Sequence, residues 1–181
     1  MRRICFDTDS NYHHNGRNGY LNTPAQAREQ FANASFKFYG ATAFIYETGE
    51  CDDFCSPHDL LAFLIEADEI VTFNGRTCDL IVLESLTGPS PLKKLWEKPH
   101  HDLKGWSGQS LRESIDRKIP KLKPSYDGGY YDARYEELSS VKEDFLREKL
   151  AGTYRDAKCT LELFRLYLAS GDAEFTFQDL D

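Results

Sequence analysis

The stretch Arg3-Ile4-Cys5-Phe6-Asp7-Thr8-Asp9 alternates as a β-strand does, with Ile4 and Phe6 on one face and Cys5, Asp7 and Asp9 on the other. Two carboxylates are thereby aimed at one spot near the end of an apolar strand. Like charges this close repel unless one takes a proton or a cation sits between them. Strands that run into solvent also end in Asp-x-Asp, so these seven residues raise a cation site without deciding it.

Downstream, residues 10–34 shift to Asn, His, Gly and Gln and read as a loop insertion holding one short helix, Pro24 to Phe31, with proline at its start. Phe36 to Tyr46 is apolar and aromatic enough for a second strand. Glu47-Thr48-Gly49-Glu50 turns the chain into a third strand at Cys51–Phe54. Ser56-Pro57 opens a helix with Leu60, Leu61, Leu64 and Ile65 at amphipathic spacing, stopping before Asp68. Glu69 to Phe73 is a buried strand broken at Asn74-Gly75, and a helix over Asp79 to Leu86 ends at Gly88-Pro89.

A short strand around His101–Leu103 and a helix from Ser110 to Ile115 follow. Residues Pro120 to Tyr135 are expected to form a surface loop, and Glu136 to Ala169 a helix interrupted at Gly152. With no internal repeat or linker, residues 1–181 read as one α/β domain with a mixed sheet, ending in an acidic tail over 171–181.

A chain of 181 residues with 40 % hydrophobic and 13 % aromatic residues has enough apolar material for a core. No apolar run approaches the roughly 20 residues that span a bilayer, and Asp7 arrives too early for a signal peptide, so cytoplasmic residence is the expectation. The net charge of −8 argues against a broad basic face for nucleic acid. It leaves metal-dependent chemistry open, because bound cations supply the positive field that a carboxylate cluster lacks. Among the five cysteines, Cys5, Cys78 and Cys159 read as small buried hydrophobes. Cys51, Cys55 and His58 sketch half a zinc site with no second pair of ligands behind it.

Two further aspartates join the first pair. Asp79 lies near the start of a helix, where a carboxylate is stabilised by the helix dipole, and a simple capping role would also explain it. Asp156 shares a helical stripe with Cys159, Leu163 and Leu166, an odd position for an unpaired charge, so a metal or a salt-bridge partner is required.

Taken together, these segments resemble the DEDD superfamily of 3′–5′ exonucleases, over most of the chain. Phe6-Asp7-Thr8-Asp9 looks like the first motif, whose pattern is Asp-x-Glu. Ala67-Asp68-Glu69-Ile70-Val71-Thr72-Phe73-Asn74-Gly75 with Asp79 is similar to the second motif of exonuclease domains found beside helicases. His101-Asp102-Leu103 followed by Gln109-Ser110-Leu111 resembles a weaker family pattern, and Arg155-Asp156 with Thr160 and Leu163 resembles the third motif.

The resemblance implies a ribonuclease H-like three-layer fold, a mixed sheet flanked by helices. It implies catalytic and metal-binding roles for Asp7, Asp9, Asp79 and Asp156, which would hold two Mg²⁺ or Mn²⁺ ions. Substrate contacts would fall to Thr8, Asn74 and Tyr154, and the substrate would be DNA or RNA, as a single-stranded 3′ end. Two departures stand out. Asp9 occupies a position where the family usually has Glu. The Tyr or His that the family places four or five residues before its last Asp is replaced by Gly152 and Ala151, and Tyr154 is too close to Asp156 on a helix to share its face. His13 and His14 are remote substitutes for that base.

Two other readings share these residues. A nuclease-fold module that binds nucleic acid or a protein partner without cutting would explain the departures. A haloacid dehalogenase-type phosphatase would use Asp7 as nucleophile and Asp9 as general acid, with Thr72 and Gly171-Asp172 in support. Tyr126, Tyr130, Tyr131 and Tyr135 offer base-stacking surfaces, although loop tyrosines more often cover their own apolar surroundings. Lys118, Lys121 and Lys123 are candidate phosphate contacts or simply a solvated face.

Overall fold

The computed structural model describes residues 1–11, 23–32, 35–107 and 110–171. Its centre is a five-stranded mixed sheet in the order β3-β2-β1-β4-β5. The strands are β1 (Arg3–Ser10), β2 (Phe38–Ile45), β3 (Cys51–Phe54), β4 (Glu69–Thr72) and β5 (His100–Asp102). β2 runs antiparallel to both β1 and β3, whereas β4 is parallel to β1 and to β5.

The alternation read in β1 decides how the sheet is covered. Ile4 and Phe6 pack with Leu60, Leu64, Leu80, Leu83, Leu92 and Leu95, from α2 (Pro57–Ile65), α3 (Asp79–Thr87) and α4 (Pro89–Trp96). Cys5, with Phe44 and Val71, packs on the opposite face against Ala157, Leu161 and Phe164 of α8 (Asp144–Ser170), Ile115 of α6 (Leu111–Lys118) and Leu103. Helices therefore cover both faces.

Local signals account for the helix starts. Thr23 makes a capping box with Gln26 ahead of α1 (Pro24–Phe31), and Ser56 and Ser110 cap α2 and α6 through Asp59 N–H and Glu113 N–H. No helix among the described residues is long and apolar enough to cross a membrane.

The helix that starts at Asp79 ends where expected, α3 stopping at Thr87 with Gly88 closing it at φ 86°. A further helix, α4, was not foreseen: it opens directly after Gly88, with Pro89 in the first turn and Leu92 and Leu95 buried. Two expectations are corrected. Pro120 to Tyr135 is not a loop. It comprises a 3₁₀ turn (Pro120–Leu122), a wide helical turn (Ser125–Gly129) and the start of α7 (Tyr130–Glu137). Leu122, Tyr126 and Tyr130 hold it down by packing against the α8-side core. Nor does the last helix break at Gly152. The break comes earlier, at a 3₁₀ turn (Leu138–Ser140) and three non-helical residues, and α8 runs unbroken through Gly152 because buried Leu150, Ala151 and Thr153 anchor it on both sides. A short α5 (Lys104–Ser107) after β5 was also unexpected. The tail over 171–181 lies outside the described residues except Gly171, as do residues 12–22, 33 and 34 of the 10–34 insertion.

Candidate metal centre

β4 stops at Thr72, which leaves the neighbouring edge of β1 uncovered from Asp7 onward, since Cys5 is opposite Val71 in their register. The acids gather here, at the carboxyl ends of two parallel strands, where open α/β sheets place their ligand sites.

Asp79 reaches the site from the α3 side. Thr8 holds it by two bonds to one carboxylate oxygen: the backbone N–H donates at 3.0 Å and the hydroxyl at 2.6 Å. Thr8 is thus a holder of Asp79, where the resemblance implied a substrate contact. Asp79 is only 4 % exposed, and burial pushes its carboxyl up to about 6, against the opposing pull of the Thr8 bonds.

A tight turn carries Asp79 into place. Asn74 takes a left-handed conformation (φ 69°), which asparagine tolerates better than most residues. Its side-chain oxygen accepts from the Thr77 hydroxyl at 2.8 Å and from Lys104 Nζ at 2.8 Å. Gly75 is sterically required: a Cβ there would lie 2.4 Å from Thr72 Oγ1, which accepts the Gly75 N–H and also bonds His100. Asp102 ties down the whole turn, accepting the backbone N–H groups of Asn74, Arg76 and Lys104. Asp102 and Lys104 had no assigned role in the sequence; the His-Asp-Leu pattern at the end of β5 was their signal.

Asp156 is brought in by the docking of α8 on β2. Gly40, opposite Asp9, lets the helix come close, since a Cβ there would be 2.9 Å from Leu150 Cδ2. One helical turn on, Thr153 bonds Thr42, the residue opposite Asp7, at 3.0 Å. Asp156 then follows in the next turn. Burial raises its carboxyl, while Arg155 opposes the rise with two bonds, at 2.7 and 3.1 Å. Asp9 faces Lys149 Nζ at 3.0 Å.

Asp7 stands in the middle. Its carboxyl is pushed well above the usual range by burial, then by the charges of Asp79, Asp156 and Asp9. Among the described residues it makes no hydrogen bond or ion pair. A half-buried carboxylate that feels the charges of three others, and has no hydrogen-bond partner of its own, invites a cation.

No protein-family model matches the chain. No curated protein matches it either.

The donor set suits a hard divalent ion, being oxygen-only and acidic. Asp9 and Asp156, however, lie on Lys149 and Arg155, and among the described residues no three acidic, His or Cys side chains converge on a single point. A bound ion must therefore compete with these two basic residues, which the sequence reading did not single out for that role.

Tyr154 does not join the acids. Its ring lies 5.2 Å from Phe44 and under the Arg134 guanidinium, on the flank of β2 and β3. Gly152, one turn before Asp156, faces open space, with nothing within 4 Å of an added Cβ. His13 and His14 lie outside the described residues. Of the loop tyrosines, Tyr126 and Tyr130 are core-packed, and Tyr131 stacks on Tyr135 at 6.0 Å. Lys118 lies over Trp106 and Lys123 beside Asp116. A cavity of about 490 Å³ between Lys118, Leu122, Glu162 and Arg165 sits farther along α8, away from the acids. All five cysteines are free; Cys78 is only partly buried, unlike Cys5 and Cys159.

Proposed function

We propose that this protein is a divalent-metal-dependent 3′–5′ exonuclease of ribonuclease H-like fold, hydrolysing phosphodiester bonds of DNA or RNA. The observation that carries this reading is Asp7: it has no partner of its own and is faced by Asp9, Asp79 and Asp156, drawn from three separate elements. The strand order β3-β2-β1-β4-β5, with β2 alone reversed, supports the fold assignment.

In this reading Asp7, Asp9 and Asp156 hold one Mg²⁺ or Mn²⁺ ion, and Asp7 with Asp79 approaches a second. Such a pair supplies an activated water and stabilises the leaving 3′ oxygen. Thr8 fixes the orientation of Asp79, and Asp102 fixes the turn that delivers it. α8 offers no side-chain base at Gly152 or Ala151, the positions where the resembled family carries its Tyr or His.

The competing reading is a module that binds nucleic acid or a protein without cutting. The Lys149 and Arg155 pairings favour it, because they neutralise two of the four acids internally. The phosphatase reading draws no comparable support: the Thr72 hydroxyl it needs is buried and bonded to His100 and Gly75.

The test is degradation of 5′-labelled single-stranded DNA and RNA with Mg²⁺, Mn²⁺ or EDTA, beside Asp7→Ala. A ladder that shortens from the 3′ end and vanishes in EDTA and in the variant supports the nuclease. Intact substrate with either metal, from folded protein, transfers the case to the binding module.

A further inference from the structure

Phe145 and Met1 are the exposed large hydrophobic residues among those described, at 52 % and 79 %, and Met1 is the chain terminus. Phe145, in the first turn of α8, meets Tyr39 of β2 edge-on, with ring centres 5.0 Å apart and planes at 87°. Two ammonium groups flank this pair. Lys149 Nζ lies 5.2 Å from the Tyr39 ring centre and 5.5 Å from that of Phe145, and Lys37 Nζ lies 5.6 Å from Tyr39. Lys37 is exposed and has no carboxylate partner among the described residues, in a chain of net charge −8. The patch also adjoins the acids: Lys149 contacts Asp9, and Tyr39 precedes Gly40, the residue opposite Asp9.

We propose that Tyr39 and Phe145 form a base-stacking platform for single-stranded nucleic acid, with Lys37 and Lys149 contacting its phosphates. The ligand class rests on the nuclease reading, but the surface chemistry has its own logic. Aromatic faces stack on any unpaired base, and interleaved cations follow the backbone. A strand lying on the platform runs beside Asp9, which Lys149 contacts at 3.0 Å. A duplex is excluded, because its bases already stack on one another.

Fluorescence anisotropy of labelled oligothymidylate and oligouridylate, in EDTA so that nothing is cleaved, tests this. Phe145→Ala is expected to weaken binding about 5- to 150-fold, the range for losing one stacked base. Phe145→Trp is expected to restore it, and Lys37→Ala to weaken binding and flatten its salt dependence. Phe145→Ala should stay folded, with a modest drop in melting temperature from the lost edge-on contact with Tyr39. Binding unchanged within about twofold in Phe145→Ala overturns the proposal. So does equal affinity for a duplex, or self-association lost in Phe145→Ala with no oligonucleotide bound. If wild type binds strands yet never cleaves them with Mg²⁺ or Mn²⁺, the nuclease reading fails and the platform stands. Cleavage by wild type with Phe145→Ala binding normally gives the reverse.

Discussion

Replacing Asp79 by Asn is expected to stabilise the metal-free protein at neutral pH. The asparagine oxygen still accepts from the Thr8 N–H and hydroxyl, so the geometry is retained while the charge is removed. Burial raises the Asp79 carboxyl from 3.8 to about 6. Each unit is worth about 1.36 kcal/mol, which sets a ceiling of roughly 3 kcal/mol on the cost of keeping it ionised. That ceiling corresponds to at most roughly 6–12 °C in melting temperature for a domain of this size. The sign follows from linkage. The folded state holds this proton more tightly than the unfolded chain, so the group's contribution falls as pH rises from about 4 through about 6. The advantage of Asp79→Asn is therefore absent near pH 4, grows up to about pH 6 and is level above it. The assay is thermal unfolding across pH in EDTA, repeated with Mg²⁺ or Mn²⁺. Metal should raise the wild-type melting temperature and that of the variant by less, because Asp7, Asp9 and Asp156 remain to hold one ion. An Asp79→Asn protein less stable than wild type at pH 7 in EDTA would refute the claim that the acids are held together at a cost.

Arg155→Met should tighten Mn²⁺ binding measured by calorimetry, because it removes the guanidinium that occupies Asp156, while lowering stability in EDTA. Gly75→Ala should cost about 1–3 kcal/mol by denaturant unfolding, since its Cβ collides with Thr72, and should abolish any metal-dependent cleavage by displacing the turn before Asp79. Gly152→Ala should instead stabilise the protein by about 0.5–1 kcal/mol, because the added methyl meets open space and the helix loses a glycine.

The elements that were legible in the sequence are those whose cause is local. Period-two alternation in Arg3–Asp9 placed Asp7 and Asp9 on the face of Cys5, and proline at the helix start marked α1 and α2, the latter behind the Ser56 cap. Proline and glycine misled at Gly152 and Pro120–Tyr135, and the helix that follows Gly88 was missed. There the deciding forces were contacts with distant chain: Leu92 and Leu95 in one core, Leu150 and Thr153 against β2, Tyr126 and Tyr130 on the α8 side. Tyr154 missed the acids for the reason its spacing gave, since two residues of helix turn it toward Phe44.

The sequence alone thus determined an α/β chain with four aspartates poised at element ends, because side-chain direction repeats every 2 or 3.6 residues and needs no partner to be read. The tertiary structure decided what those aspartates meet. Sheet register and helix docking set Thr8 on Asp79, Lys149 on Asp9 and Phe145 on Tyr39, across 71, 140 and 106 positions of chain (79 − 8, 149 − 9, 145 − 39). Contacts at such separations follow from the packing of whole elements, and no short-range pattern encodes them.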